Sequence, residues 1–347
     1  MRPTAIGPGA AKRQRDERMQ TAESTPSKSV QVEVPLRVSR QELMASVGMD
    51  DLVEDFVGPV NHLFATVGKG LRGATVMRSA SVGMHPLDPA VRESAIAVEL
   101  LHLGTLVHDD VVDDGRLRRD AETVGMRYGN QTSGFVGALL VSRALEIIAS
   151  RGTEPIRRSV DTATAMCAGQ MAEFEDLFDI ERSVSRYRFA IAGKTASLFE
   201  FAAWLGAWVS RADRQTVEAM SRFGRELGVA FQILDDVLDL TAPLSVTGKR
   251  QGNDLRQGVY SLPIIYAIEA DAALRGMLGR SAEEDLPSLV ARIERSGGIN
   301  RAIQECRSSA GRAGAALRDD CISVAAAEGL TALLDEALAP MTALTHA

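Results

Sequence analysis

Cysteine is scarce. The three residues, Cys167, Cys306 and Cys321, are widely spaced and include no CxxC pair, so they form neither a disulfide framework nor a zinc site. Such usage suits a reducing compartment, and a cytoplasmic location is expected. Aromatics make up only 5% of the chain, while Ala, Leu and Val dominate a 45% hydrophobic content. That balance favours helix packed on helix over a β-sandwich. Positive charge is in deficit, with 39 Lys and Arg against 46 Asp and Glu. The net charge is therefore -7, and no nucleic-acid partner is expected. Long uncharged runs are missing too: Arg143 and Glu200 break the apolar stretches short of the ~18 residues a membrane span requires. The basic N-terminus has no apolar segment behind it, so no secretory signal is expected.

Two acidic stretches stand out from this background. Leu106-Val107-His108-Asp109-Asp110-Val111-Val112-Asp113-Asp114 and Phe231-Gln232-Ile233-Leu234-Asp235-Asp236-Val237-Leu238-Asp239 each carry carboxylates at i, i+1 and i+4. On a helix, i and i+4 share a face one turn apart and i+1 flanks them. The neighbours are Leu, Val, Ile and Phe, so both turns are expected to be largely buried. An unpaired buried carboxylate is costly, and the usual remedy is a metal or a cationic partner. Oxygen-only donors suit hard cations, Mg²⁺ above all when a phosphate completes the shell.

Residues 1–38, rich in Pro, Gly, Ser, Thr and mixed charge, read as a flexible tail. A single folded domain is expected over 39–347, opening at Ser39 as an N-cap. Asp88-Pro89 caps a long apolar helix that runs into Asp109, and Gly129-Asn130 marks a break before a helix at about 132–150. Helices are expected over 162–178 and 185–209. The next, capped by Asp213, carries Asp235 and Asp239 and is stopped by Pro243. Beyond a loop at 248–258 come helices over 262–273, 282–296, 300–327 and 330–345. No segment alternates well enough for a strand. The fold expected is all-α: an antiparallel helix bundle or barrel around a deep central cavity, where the two acidic clusters face each other.

Basic residues suggest what lies between them. Lys69 and Arg72 stand three apart in Gly68-Lys69-Gly70-Leu71-Arg72; Arg116, Arg118 and Arg119 follow the first acidic cluster, and Lys194 and Lys249 lie further along. Acids that hold Mg²⁺, with Arg and Lys that hold phosphate oxygens, make a polyphosphate site. Apolar helix walls imply a hydrocarbon tail on that polyphosphate.

At this point the chain resembles the trans-isoprenyl diphosphate synthases (polyprenyl synthetases). The resemblance covers about residues 60 to 300 and rests on six motifs in order: GKGLR at 68–72, HLGTLVHDDVVDDGRLRRD at 102–120, GQ at 169–170, KTA at 194–196, FQILDDVLD at 231–239 and GNDLRQGVYSLP at 252–263. The resemblance implies that Asp109, Asp110, Asp113, Asp235, Asp236 and Asp239 hold three Mg²⁺ ions, with Mn²⁺ as a substitute, on an allylic diphosphate that Arg118 also grips. It implies an isopentenyl diphosphate pocket at Lys69, Arg72, His102 and Arg119. Lys194, Thr195 and Gln232 are to line the allylic cation, and Lys249 is counted with the diphosphate-binding cations. The chemistry implied is ionisation of the allylic C–O bond, then attack by the isopentenyl double bond, with released diphosphate taking the proton. No side-chain nucleophile is needed.

Several positions depart from the family pattern. Val67, Gly70 and Gly73 stand where Gly, Arg and Pro are usual in GGKRxRP. Val259 replaces a lysine, and Asp120 a glycine. Each lost phosphate-binding charge costs about 1–3 kcal/mol, which leaves a diphosphate lyase on the same fold, or a subunit of a heteromeric synthase, as alternatives. The residues four and five before the first aspartate are Thr105 and Gly104, both small, with Leu101 one turn deeper. The family's pocket floor lies there, so a product of C20 or longer, and rather C30 or above, is expected, with Gly104→Phe shortening it. A homodimer and transient contact with a membrane surface complete the expectation.

Overall fold

The computed structural model describes residues 37–48, 53–113, 115–119, 121–242, 251–278, 286–318 and 320–343. Helices dominate, and they begin where local chemistry dictates. Helix α1 (Arg40–Val47) opens at Ser39 with a full capping box to Glu42. The expected tail boundary moves slightly: Val38 is already buried and Arg37 makes fixed contacts, so the packed body includes both. Helix α2 spans Glu54–Ala65 and α3 Leu71–Ser79. Asp88 caps the 24-residue α4 (Pro89–Val112) through the Ala90 N–H, with proline in its first turn.

Past α4, Leu117–Arg118 and Ala121–Glu122 pair as a two-residue antiparallel ladder, a small strand element that the alternation pattern was too short to reveal. Next come α5 (Val124–Tyr128) and α6 (Asn130–Ala149), separated by Gly129 at φ +89°. Helix α7 (Thr153–Glu175) starts nine residues before the expected 162. The 185–209 segment is not one helix. It comprises α8 (Val184–Ile191), a π-turn at Ala192–Ala196, and α9 (Ser197–Val209). Asp213 caps the 28-residue α10 (Arg214–Thr241) as expected, whereas Pro243 lies outside the described residues. The remaining helices are α11 (Asn253–Gln257), α12 (Leu262–Ala270), α13 (Ala272–Leu278), α14 (Leu286–Arg295), α15 (Gly298–Ala316), α16 (Val324–Ala337) and α17 (Pro340–Ala343).

Helix α4 packs chiefly on α6 and α3, α9 on α3 and α10, and α10 on α15. The core holds Phe64, Leu100, Leu101, Tyr187, Phe199, Trp204 and Phe223. The α4–α6 crossing is tight because glycine meets glycine. A Cβ on Gly104 would stand 2.9 Å from the Gly137 carbonyl and 2.9 Å from Val141 Cγ2. Among described helices, α6 is the one long and apolar enough to cross a membrane by length and composition. It carries Arg143 and Glu146, which pair with each other, and it buries Val136, Leu140 and Ile148.

Candidate active site

Helices α3, α4 and α10 bring the basic motif and the second acidic motif to a cavity of about 620 Å³, whereas Asp109, Asp110 and Asp113 of the first acidic motif, with Arg118, Lys194, Thr195 and Gln232, do not line it. Lys69, Arg72, His102 and Arg119 line it, together with Asp235 and Asp239 of the second acidic motif. Apolar side chains, Leu103, Leu106, Phe231, Leu234 and Leu238, complete the walls.

The basic side is built on one turn. Gly70 sits at φ +64° and starts α3, so Lys69 stays at the mouth while Arg72 turns inward. The Arg72 guanidinium stacks on Phe199 (4.8 Å) and reaches over Phe231 (5.9 Å). Its Nη1 lies 2.9 Å from His102 Nε2. Arginine only donates, so His102 accepts through Nε2 and carries its proton on Nδ1. Burial, and then the Arg72 charge, push the imidazole well below its usual value and keep it neutral. Burial also lowers Arg72 to about 10, against the pull of Glu99, Asp235 and Asp109. Arg72 thus lies within electrostatic reach of one carboxylate from each acidic motif. Its Nε is buried with no partner, an orphan donor at the cavity wall that a phosphate oxygen would satisfy. Arg119, at φ +51°, donates to the Thr66 carbonyl (2.6 Å) and leans on Gly68, where a side chain would collide with it.

Two of the six aspartates are held by other side chains of the protein. Asp110 is held by Arg118 through a fork, Nη2 at 2.7 Å and Nε at 3.0 Å from Oδ1. Asp236 accepts from the Tyr187 hydroxyl (2.5 Å) and the Gln232 amide (2.8 Å), and Thr195 donates to the same Gln232 (2.6 Å). Burial pushes Asp236 above the usual carboxylate range. These two carboxylates are committed inside the protein. Asp235 and Asp113 are exposed, so among the described residues each motif, otherwise buried or half-buried as expected apart from Val112, presents one carboxylate to solvent. Asp239 accepts the Asp254 N–H and so ties α11 to the second motif. Burial raises Asp109 to about 6 even though Lys194 pulls it down. Lys194 lies on the π-turn, and π-turns recur at functional sites. Its ammonium donates to Glu173 at 2.5 Å. Burial disfavours that charge, but Glu173 and Asp109 more than reverse the effect.

Among the described residues no three carboxylates or imidazoles form a ready-made metal cage. Mg²⁺ held by one or two carboxylates plus phosphate oxygens needs none. The elevated Asp109 is a carboxylate short of positive charge, and this donor set fits a hard cation.

Several expected residues stand elsewhere. Leu101, Gly104 and Thr105 do not line this cavity: Leu101 is core, Thr105 donates to the His102 carbonyl, and Gly104 faces α6. Lys249 lies outside the described residues. Other residues were missed by the sequence reading. Glu99, 3% exposed, accepts the Gly73 N–H at 2.6 Å and caps α3 from α4. Its signal was available, since Glu99 and His102 sit three apart on one helix face. Glu173 and Tyr187 gave no spacing signal, and Arg37 sat in the presumed tail.

The polyprenyl synthetase family profile matches residues 53–293. The nonaprenyl diphosphate synthase of Mycobacterium tuberculosis is 33% identical over 252 residues, 72% of this chain and 75% of that protein. The geranylgeranyl diphosphate synthase of Methanosarcina mazei is 34% identical over 263 residues, 74% of this chain and 78% of that protein. The crystal structure of heptaprenyl diphosphate synthase from Staphylococcus aureus superposes with a TM-score of 0.81 at 26% identity, covering 86% of this chain and 95% of that one.

Proposed function

Because the chain belongs to the polyprenyl synthetase family, and is thereby a prenyltransferase, we propose that it condenses isopentenyl diphosphate head to tail with an allylic primer. The primer is geranyl, farnesyl or geranylgeranyl diphosphate, and the product is an all-trans polyprenyl diphosphate of C30 or above. The observation that carries this reading is the two-sided cavity. Cations with an orphan donor stand on one side, carboxylates on the other, and an apolar wall joins them.

In this reading Lys69, Arg72, Arg119 and neutral His102 hold the isopentenyl diphosphate. Asp109, Asp110, Asp113, Asp235, Asp236 and Asp239 offer oxygens for three Mg²⁺ ions, with Mn²⁺ as a substitute. Arg118 and Tyr187 orient Asp110 and Asp236. Bound Mg²⁺ supplies the positive charge that stabilises the departing diphosphate. Arg118 and Lys194 add cationic charge to that side, and Thr195 and Gln232 present oxygen lone pairs to the allylic cation. The apolar walls exclude water that would quench the cation. The released diphosphate takes the proton, so no side-chain base is required.

Long products are supported by the relatives that the chain resembles, among them a nonaprenyl and a heptaprenyl diphosphate synthase. A homodimer is supported by apolar side chains exposed on α6 and α7, among them Phe135 (66% exposed), Met171 and Phe174. The free cysteines suit a cytoplasmic location, and an insoluble polyprenyl tail suits transient contact with a membrane surface.

The test is incubation with Mg²⁺, labelled isopentenyl diphosphate and each primer in turn, with products sized by mass spectrometry. Labelled prenyl diphosphates of C30 or above are expected. Unlabelled hydrocarbons or alcohols would instead mark a diphosphate lyase, and inactivity with every primer a missing partner subunit.

A further inference from the structure

The motif that begins α3 has no side chain at position 70. Gly70 adopts φ +64°, and a Cβ built there meets only Glu99 Oε1, at 3.8 Å. The loop thus brings Lys69 and Arg72 to the cavity and leaves a gap between them. Into that neighbourhood comes Arg37, from the segment leading into α1. Its backbone is pinned, since Arg92 donates to the Arg37 carbonyl at 2.8 Å and the next residue, Val38, is buried beside Gly73. Its side chain donates from Nη1 to the Lys69 carbonyl at 2.8 Å and lines the same cavity as Lys69, Arg72 and Arg119.

We propose that Arg37 is a diphosphate-binding residue, supplying from the N-terminal segment the cation that Gly70 lacks. Its Nη2 is paired with Glu336 near the end of α16, and both side chains are half exposed, 49% and 40%. An exposed pair of this kind is weak and screened by solvent. A diphosphate carries more negative charge than one carboxylate and accepts a guanidinium fork through two oxygens. Arg37 therefore exchanges Glu336 for phosphate when substrate enters. The Lys69 carbonyl keeps Nη1 in place during the exchange, so the reorganisation is confined to one end of the side chain.

The inference rests on the prenyltransferase reading and is tested so that the two can fail separately. Binding of isopentenyl diphosphate is measured by calorimetry, and turnover by label incorporation, for the wild type, Arg37→Met, Arg37→Lys and Glu336→Gln. Losing one charge-assisted contact should weaken isopentenyl diphosphate binding about tenfold in Arg37→Met, with KM raised alike and kcat little changed. Arg37→Lys should recover part of the loss. Glu336→Gln should bind as well as the wild type or better, because the competing carboxylate is gone. Unchanged binding in Arg37→Met overturns the proposal. So does equal weakening in Arg37→Met and Glu336→Gln, which would make the pair a strut between two chain segments. A wild type that binds but never elongates overturns the prenyltransferase reading and leaves the Arg37 comparison decisive by calorimetry.

Discussion

Gly104 offers the sharpest test, because its position in sequence and its position in space predict different outcomes. Placed five residues before Asp109, it reads as pocket floor, and Gly104→Phe should then shorten the product in an otherwise stable enzyme. In the structure its missing side chain points at α6, 2.9 Å from the Gly137 carbonyl and 3.3 Å from the Val141 nitrogen. Carbon contacts settle near 3.5–4.0 Å, so even a methyl group must part the helices by about half an ångström or more. Overpacking of this kind costs about 1–3 kcal/mol. Removing a helical glycine returns about 1 kcal/mol. Gly104→Ala should therefore lose about 0–2 kcal/mol, a fall of up to roughly 4 °C in Tm at this chain length. Gly104→Phe brings a ring to the same spot and should lose well over 3 kcal/mol, or fail to fold. Gly137→Ala adds a clash with His108, and its cost should not add to that of Gly104→Ala, since both act on one crossing. Thermal melts followed by circular dichroism, with product sizing on the same samples, decide the matter. A Gly104→Phe enzyme with wild-type Tm and a shorter product would refute the reasoning.

Other perturbations address the site. Burial raises the Glu99 carboxyl above the ordinary glutamate value of 4.5. An acid whose folded value is raised adds stability below its unfolded value, and that stability is lost as pH rises through the folded value. Relative to the wild type, Glu99→Gln should thus gain stability as pH rises above 4.5 in denaturant titrations; a gap that stays flat or shrinks refutes this. Tyr187→Phe leaves the buried Asp236 one hydrogen bond short and should cost about 1–3 kcal/mol. Its kcat should fall while binding of isopentenyl diphosphate is spared, and loss of that binding would place Tyr187 elsewhere in the mechanism. Chelation with EDTA should abolish turnover and leave Tm nearly unchanged, because Asp110 and Asp236 are satisfied by the protein itself; turnover persisting in EDTA would falsify the assignment of the aspartates to Mg²⁺.

Much of this protein follows from local chemistry. The caps at Ser39, Asp88 and Asp213 start helices where a side-chain oxygen can satisfy the first free N–H groups, an interaction spanning three residues. The spacing within each acidic motif places its carboxylates on one helix face before anything packs against it. Six motifs in order identify the family, and scarce aromatics with abundant Ala and Leu identify the helical class. Tertiary structure alone decided which faces meet and which charges are already spoken for. Asp110 and Asp236 look like their neighbours in sequence, yet Arg118 claims one and Tyr187, 49 residues away, claims the other. Gly104 became a helix crossing because Gly137 lies opposite it. Lys194 pairs with Glu173 from a π-turn that no helical periodicity announces. Arg37 left the presumed tail because Lys69, 32 residues on, offers it a carbonyl. Spacing governs contacts within a turn or two; contacts between distant segments depend on how the helices pack, and packing is a property of the whole chain.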